Sequence, residues 1–267
     1  MSKMSYFFMI ISVQTSAIVV KICYNIEKEC RKMSIKVILF DLDGTLLPMD
    51  QETFAKAYMG SLAKSLSAHG YEPNKLIQTI WAGTAAMIKN DGAKSNEALF
   101  WETANACYGA DLHADEQRFD EFYQTQFDGV KESCGYTPKA AKLIENIKAK
   151  GYRIVLATNP IFPAIATRKR IAWAGLSVDD FEWITSYENS CHCKPNVAYY
   201  EDILREIGVK GEECLMVGND VNEDMVAANL GMKVFLLTDC MINRNDKDIS
   251  VYPHGSFEEL TDFIESL

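Results

Sequence analysis

The stretch Ile35 to Leu47, which reads IKVILFDLDGTLL, constrains the rest of the chain more than any other. Four apolar residues, Val37-Ile38-Leu39-Phe40, run without a polar break and then meet Asp41, Asp43 and Gly44. An apolar run of this length that ends on Asp and Gly predicts a buried strand feeding a turn. A strand apolar on both faces belongs in a parallel sheet covered by helices on both sides. In open sheets of that kind ligands bind beyond the carboxyl ends of the strands, which is where Asp41 and Asp43 fall. Two carboxylates so close repel each other unless something positive compensates, and an oxygen-seeking divalent cation is the simplest candidate.

Composition narrows the partners. With 267 residues the chain can bury a sizeable core in one large domain or two smaller ones. The net charge of −10 and the lack of a basic patch argue against nucleic acid and against an anionic membrane surface for residues 34–267. An anionic substrate must then be held by local positive groups or a metal. The eight cysteines, at 23, 30, 107, 134, 191, 193, 214 and 240, form no C-x-x-C pair and read as reduced thiols of a cytoplasmic protein. Cys107 and Cys214 sit in apolar patterns and are expected in the core.

Along the chain, residues 1–33 read as an N-terminal extension outside the core, with Met33 as the natural start. The apolar run Tyr6 to Val20 is interrupted by polar residues and falls short of the ~20 residues a membrane span needs. A weak anchor, a signal or an extra structural element are the alternatives, and Met33–Leu267 is expected to be soluble and active. Residues 50–134 carry helical periodicity with no strand signal. Helices are expected over Glu52 to Ala68, from Pro73 through Ile88, over Asn96 to Tyr108 and over Ala114 to Phe127. From Pro138 onwards strands and helices alternate. Strands are expected at Arg153 to Ala157, Phe181 to Thr185, Cys214 to Val217 and Val234 to Leu237. Helices are expected at Lys139 to Lys150, Phe162 to Ala174, Pro195 to Ile207, Glu223 to Leu230 and Phe257 to Ile264. That alternation predicts an α/β fold, a Rossmann-like parallel sheet with helices on both faces, built from residues 34–49 and 135–267, with 50–134 as an inserted helical domain.

The string Asp41-Leu42-Asp43-Gly44-Thr45 resembles the first signature of the haloacid dehalogenase-like (HAD) hydrolases. Three further groups follow in that family's order, each at a predicted strand end or loop. Thr158 resembles its second-motif Ser or Thr, Lys194 in Cys193-Lys194-Pro195 its third-motif Lys, and Gly218-Asn219-Asp220 with Asp224 its acidic fourth motif. Singly, each has an ordinary explanation as a turn, a solvated helix start or a cap; together they carry the resemblance over nearly all of residues 34–267. The inserted helices match the position of the family's C1-type helical cap.

The resemblance implies a Mg²⁺-dependent phosphatase. Asp41 would be the nucleophile and form an aspartyl-phosphate, and Asp43 the acid that protonates the leaving alcohol and then the base that activates water. Asp41, the Asp43 backbone carbonyl and Asp220 would hold Mg²⁺, with Asn219 and Asp224 as further candidates. Thr158, Asn159, Lys194 and Gly44 would bind the phosphate. Asn219 stands where many members carry Asp, which leaves the metal assignment at Asp220 open to Asn219. The carboxylate at 43 argues against the family's dehalogenases, which lack it, and against the P-type ATPases, which carry Thr. None of the insert lysines 56, 64, 89 and 94 is marked as the Schiff-base lysine of a phosphonatase.

The expected substrate is a small phosphorylated metabolite, and the chain a monomer or small homo-oligomer. One alternative is a sugar phosphomutase resembling β-phosphoglucomutase. From other classes come a receiver-like phosphoacceptor without turnover and a degenerate binding protein on the same scaffold; the helical insertion speaks against the first and the intact motif residues against the second. Cys191-His192-Cys193 has no second ligand pair for structural zinc and reads as a loop beside the site. His69, His113 and His254 read as isolated surface or insert residues. Trp81, Trp101 and Trp173 read as packing residues, with Trp81 or Trp101 able to line the insert side of a pocket.

Overall fold

A computed structural model of the chain describes residues 35–267. The expectation for residues 1–33 lies outside the described residues. The sheet runs β1 (Val37–Phe40), β2 (Arg153–Leu156), β3 (Trp183–Ile184), β4 (Cys214–Gly218), β5 (Lys233–Leu237) and β6 (His254–Gly255). All pairings are parallel, in the spatial order β3-β2-β1-β4-β5-β6. The expected α/β fold is therefore present, with β1 central: Val37 is in register with Arg153 on one side and Cys214 on the other.

Strand periodicity sorts the core into two layers. Ile38 and Phe40 join Leu156, Leu215 and Val217 in one cluster, which takes in α5 (Pro138–Ala149), α6 (Ala164–Trp173) and α8 (Phe257–Glu265). Val37 and Leu39 join Val155, Met216 and Leu236 in the other, against α7 (Val197–Ile207). All four β1 side chains are fully buried, each contributing ~1.5–3 kcal/mol of apolar burial. The strand therefore cannot shift without exposing one layer or the other, and this pins Asp41 at the sheet's end.

Between β1 and β2 lie α1 (Gln51–Ser67), α2 (Pro73–Ile88), α3 (Asn96–Tyr108) and α4 (Glu116–Gln124). Asp50, Glu72 and Ser95 cap the first three through side-chain acceptors. Tyr58 ties the insert together: its ring packs on Phe122, Tyr123, Phe127 and Phe162, and its hydroxyl lies 2.7 Å from that of Tyr123.

The structure corrects three local expectations and adds a strand. The helix expected over Ala114 to Phe127 is α4 flanked by 3₁₀ turns at His113–Asp115 and Gln126–Ser133. Thr125 breaks it, its hydroxyl donating to the Glu121 carbonyl at 2.6 Å and competing with the backbone ladder. The helix expected from Glu223 is a 3₁₀ segment, Met225–Leu230, preceded by a turn in which Asp220 Oδ1 accepts from the Asn222 and Glu223 N–H groups and Asp224 Oδ2 from the Asp220 N–H. Strand β6 was too short to read from its residues. Cys107 is exposed near the end of α3, where the neighbouring Tyr108 packs on the core instead, whereas Cys214 is buried as expected. No helix of the described residues is long and apolar enough to cross a membrane.

Candidate active site

Parallel strands in register bring their carboxyl ends to one edge, so Asp41 after β1, Thr158 after β2 and Asp220 after β4 converge. Asp41, Asp43, Thr158, Asn159, Asn219, Asp220 and Asp224 all line a cavity of about 420 Å³ between the sheet edge and the inserted helices. Gly44 and Lys194 stand just behind that wall, each touching residues that form it.

Lys194 organises the acidic residues. Its ammonium, 1% exposed, donates to Asp41 Oδ1 at 2.9 Å and to Asp224 Oδ1 at 2.7 Å. Burial opposes its charge, but Asp224 and Asp41 outweigh that and hold it well above the ordinary lysine range. One cation between two buried carboxylates compensates only one of them. Burial, opposed by Lys194 and reinforced by Asp41, accordingly pushes Asp224 up to about 7. The other Asp224 oxygen accepts from the Asp220 backbone N–H at 2.9 Å, so its side chain serves Lys194 and the β4 turn.

Asp220 projects from that turn. Its Oδ1 accepts from the N–H groups of Asn222 (2.7 Å) and Glu223 (3.1 Å), and Oδ2 from Arg244 Nη1 at 3.0 Å. Asn219 turns away: Oδ1 accepts from the Thr45 hydroxyl at 3.1 Å, and Nδ2 donates to the Cys240 carbonyl at 2.6 Å. It packs on Gly44, whose φ of +89° and lack of a Cβ give the amide room. Thr158 is anchored through its carbonyl, which accepts from Thr185 (2.6 Å) and Tyr199 (2.8 Å) hydroxyls. Asn159 accepts from the Lys194 N–H at 3.2 Å and donates to Glu223 at 3.0 Å.

Two arginines at the site escape the sequence motifs. Arg170 on α6 is fully buried and ion-paired with Asp43. Burial still pushes the Asp43 carboxyl above its usual range, with Arg170 opposing and Asp41 assisting. Arg170 occupies the inward stripe of its helix with Ala166 and Trp173, and a basic residue on an apolar stripe is the signal that could have found it. Arg244 lies in a loop without local pattern, drawn in by the bridge between Asp220 and Ile242.

The Cys191–Cys193 loop has other engagements. His192 Nδ1 is 2.7 Å from Asp202, and Cys193 accepts from Asn96 at 3.3 Å. Trp81 and Trp101 both line the cavity, and Trp173 packs against Phe127.

The cavity's strand end includes the acidic residues Asp41, Asp43 and Asp220, whose carboxylate oxygens a hard divalent cation takes; Mg²⁺ uses one or two carboxylates together with substrate phosphate and water rather than an all-protein cage. No group of three or more His, Cys, Asp or Glu side chains among the described residues forms such a cage. The residues present fit that open mode of binding.

Residues 35–231 match the family model for haloacid dehalogenase-like hydrolase. The chain belongs to this family. Among known proteins, the glyceraldehyde 3-phosphate phosphatase of Methanothermobacter thermautotrophicus is 31% identical over 43% of this chain and 53% of that one, about half its length. A phosphoglycolate phosphatase of Colwellia psychrerythraea is 24% identical over 72% and 79%. The pyrophosphatase PpaX of Bacillus cereus is 23% identical over 75% and 82%. Among solved structures, a HAD phosphatase from Thermococcus onnurineus superposes with a TM-score of 0.55 at 18% identity, covering 86% of this chain and 98% of that one. A 2-haloacid dehalogenase from Pseudomonas syringae pv. Tomato gives 0.58 at 20%, over 87% and 99%. These structural likenesses concern the fold. This haloacid dehalogenase-like chain is a hydrolase, as its motifs led us to expect.

Proposed function

We propose that the chain is a Mg²⁺-dependent phosphatase of a small phosphorylated metabolite, working through an aspartyl-phosphate. The observation that carries this reading is the second carboxylate, Asp43, standing in the same cavity as Asp41. Removal of a phosphoryl group from an alcohol needs both a nucleophile and a proton donor, whereas halide departure needs no proton. The relatives named above as phosphatases support the same reaction class.

In the proposed reaction an Asp41 carboxylate oxygen attacks phosphorus in line with the leaving oxygen. The P–O bond to the alcohol breaks, and Asp43 delivers its proton to that oxygen. Asp43, now a carboxylate, takes a proton from water as the water attacks the phosphoryl group, releasing inorganic phosphate and restoring Asp41. Lys194 holds Asp41 oriented through its 2.9 Å contact and offsets charge at the site. Thr158 and Asn159 on the cavity wall receive phosphoryl oxygens. Mg²⁺ held by Asp41, Asp220 and the Asp43 carbonyl would neutralise the phosphoryl charge. In this reading residues 50–134 form a cap that encloses the leaving group and excludes water, over a core of 34–49 and 135–267.

The test is release of inorganic phosphate from a panel of monoesters and p-nitrophenyl phosphate, with Mg²⁺ or EDTA, by wild type and Asp41→Asn. Turnover that needs Mg²⁺ and disappears in Asp41→Asn supports the reading. Turnover that survives in Asp41→Asn overturns the nucleophile assignment.

A further inference from the structure

The cavity has two chemically different ends. The strand end carries the acidic residues described above. The far end is built by the inserted helices and is largely apolar, with Tyr58 from α1, Trp81 and Ile88 from α2, Trp101 from α3 and Phe119 from α4 on its wall. Trp81 and Ile88 are 49% and 44% exposed, unusually open for large apolar side chains. They lie seven residues apart with Thr84 between them, on the one face of α2 that borders the cavity. A ligand in the cavity would cover both.

Charge at that end points the same way. Glu52, Glu116 and Asp120 lie on the wall, Glu52 facing Lys56 at 3.8 Å and Glu116 facing His113 at 3.3 Å, so the basic groups nearby are already engaged. Burial, reinforced by Glu116 and Glu188, already pushes Asp120 upward. Among the described residues no lysine lines the cavity, and the sole arginine is Arg244, which is held by Asp220 and Gln51 at 3.0 Å each. A carboxylate or second phosphate on the leaving group would be taken out of water against carboxylates, with no free cation to meet it. An unpaired buried charge is among the most costly things a site can hold.

We infer that the substrate is a phosphate monoester of an alcohol with a hydrocarbon body, a ring or short chain, that carries no second negative charge, unlike phosphoglycolate or pyrophosphate. This specificity rests on the phosphatase reading above. The phosphoryl group sits at the strand end, and the alcohol's hydrocarbon part fills the space between Trp81, Ile88 and Trp101. Edge-to-face packing of Trp101 against Phe100 and Phe119 keeps that wall rigid.

The test compares kcat/KM of the Mg²⁺-loaded enzyme for phenethyl phosphate, an alkyl ester with no activated leaving group, with that for phosphoglycolate and pyrophosphate. Phenethyl phosphate is expected to be better by about 10- to 100-fold, the value of burying one aromatic side group. Trp81→Ala should raise KM for phenethyl phosphate and so narrow its lead over the anionic substrates; an unchanged ratio counts against the inference. Phosphoglycolate or pyrophosphate matching or exceeding it overturns the inference. If no ester is hydrolysed the phosphatase reading fails, and the specificity is then judged on binding alone. Isothermal titration with the phosphonate isosteres of phenethyl phosphate and phosphoglycolate measures that binding: tighter phenethyl binding upholds the apolar cavity, and equal or reversed affinities overturn it.

Discussion

Arg170 donates through Nη1 to Oδ2 of Asp43 from a position with no solvent exposure of its own. Its guanidinium also lies 4.4 Å over the Phe162 ring and reaches Thr167 Oγ1 at 3.3 Å, so it is held rigidly. The remaining Asp43 oxygen, Oδ1, is buried without a hydrogen-bond partner among the described residues. A carboxyl pinned by one oxygen presents the other in a fixed direction. Replacing Arg170 by Met should therefore misplace the proton donor and lower kcat by about 10- to 100-fold, with a smaller change in KM. Steady-state kinetics on an alkyl phosphate and on p-nitrophenyl phosphate provide the check. The activated ester needs little proton assistance and should lose less. Equal losses on both would show that Arg170 does not act through Asp43.

Lys194 carries a heavier electrostatic role than Arg170, since it faces two carboxylates at once. Lys194→Met should destabilise the fold by ~3–5 kcal/mol, because it strands Asp41 and Asp224 without a cation. Activity should fall by about 100-fold or more with the loss of charge at the transferring group. Adding Asp224→Asn to that variant removes one of the stranded charges, and is expected to restore part of the stability and none of the activity. Urea unfolding of the three variants measures the first effect and phosphate release the second. A double variant no more stable than the single one would contradict the shared-cation account.

The residues legible in the sequence were those whose role is local. The apolar run Val37 to Phe40 announced a doubly buried strand because such a run has no other home, and Asp41, Thr158 and Asp220 follow strands that the same patterning revealed. What the chain order hid were contacts made across the fold. Arg170 meets Asp43 across 127 positions, and Arg244 meets Asp220 from a loop with no periodicity. Side-chain competition was also hidden. Asp220 and Asp224 hold the tight turn ahead of the 3₁₀ segment through backbone N–H groups, contacts that helical periodicity does not register. Asn219 resembled a displaced metal ligand, yet its amide spans Thr45 and Cys240.

Asp224 gives a pH dependence with a definite sign. Its carboxyl titrates at about 7 in the fold, against ~3.9 in an unfolded chain. Between these values the folded protein holds a proton that the unfolded chain has released. Stability contributed by this group is therefore present at low pH and is lost as pH rises through that window. Asp224→Asn has no such proton to lose. The stability of wild type relative to Asp224→Asn should decline from about pH 4 to pH 7 and level off above it. Chemical denaturation of both proteins across that range tests the sign. A difference that grows in favour of wild type as pH rises would mean Lys194 outweighs the burial of Asp224.

Gly44 and Gly109 separate a steric requirement from a conformational one. Both have positive φ, +89° and +74°. A Cβ at Gly109, the C-cap of α3, would meet nothing within 4 Å, whereas one at Gly44 would lie 2.3 Å from Asn219 Nδ2. Gly109→Ala should thus cost only the ~1–2 kcal/mol of a left-handed alanine and leave kinetics unchanged. Gly44→Ala carries that cost too, and must also displace the Asn219 amide that joins Thr45 to the Cys240 carbonyl. Because the Thr45 hydroxyl also reaches Asp41 Oδ2 at 3.3 Å, that displacement disturbs the nucleophile. We expect Gly44→Ala to be the less stable of the two by ~1–3 kcal/mol and to lose kcat. Thermal unfolding and initial rates on both variants decide the matter. Equal stability and equal rates would mean that Asn219 yields freely and does not brace the Asp41 turn.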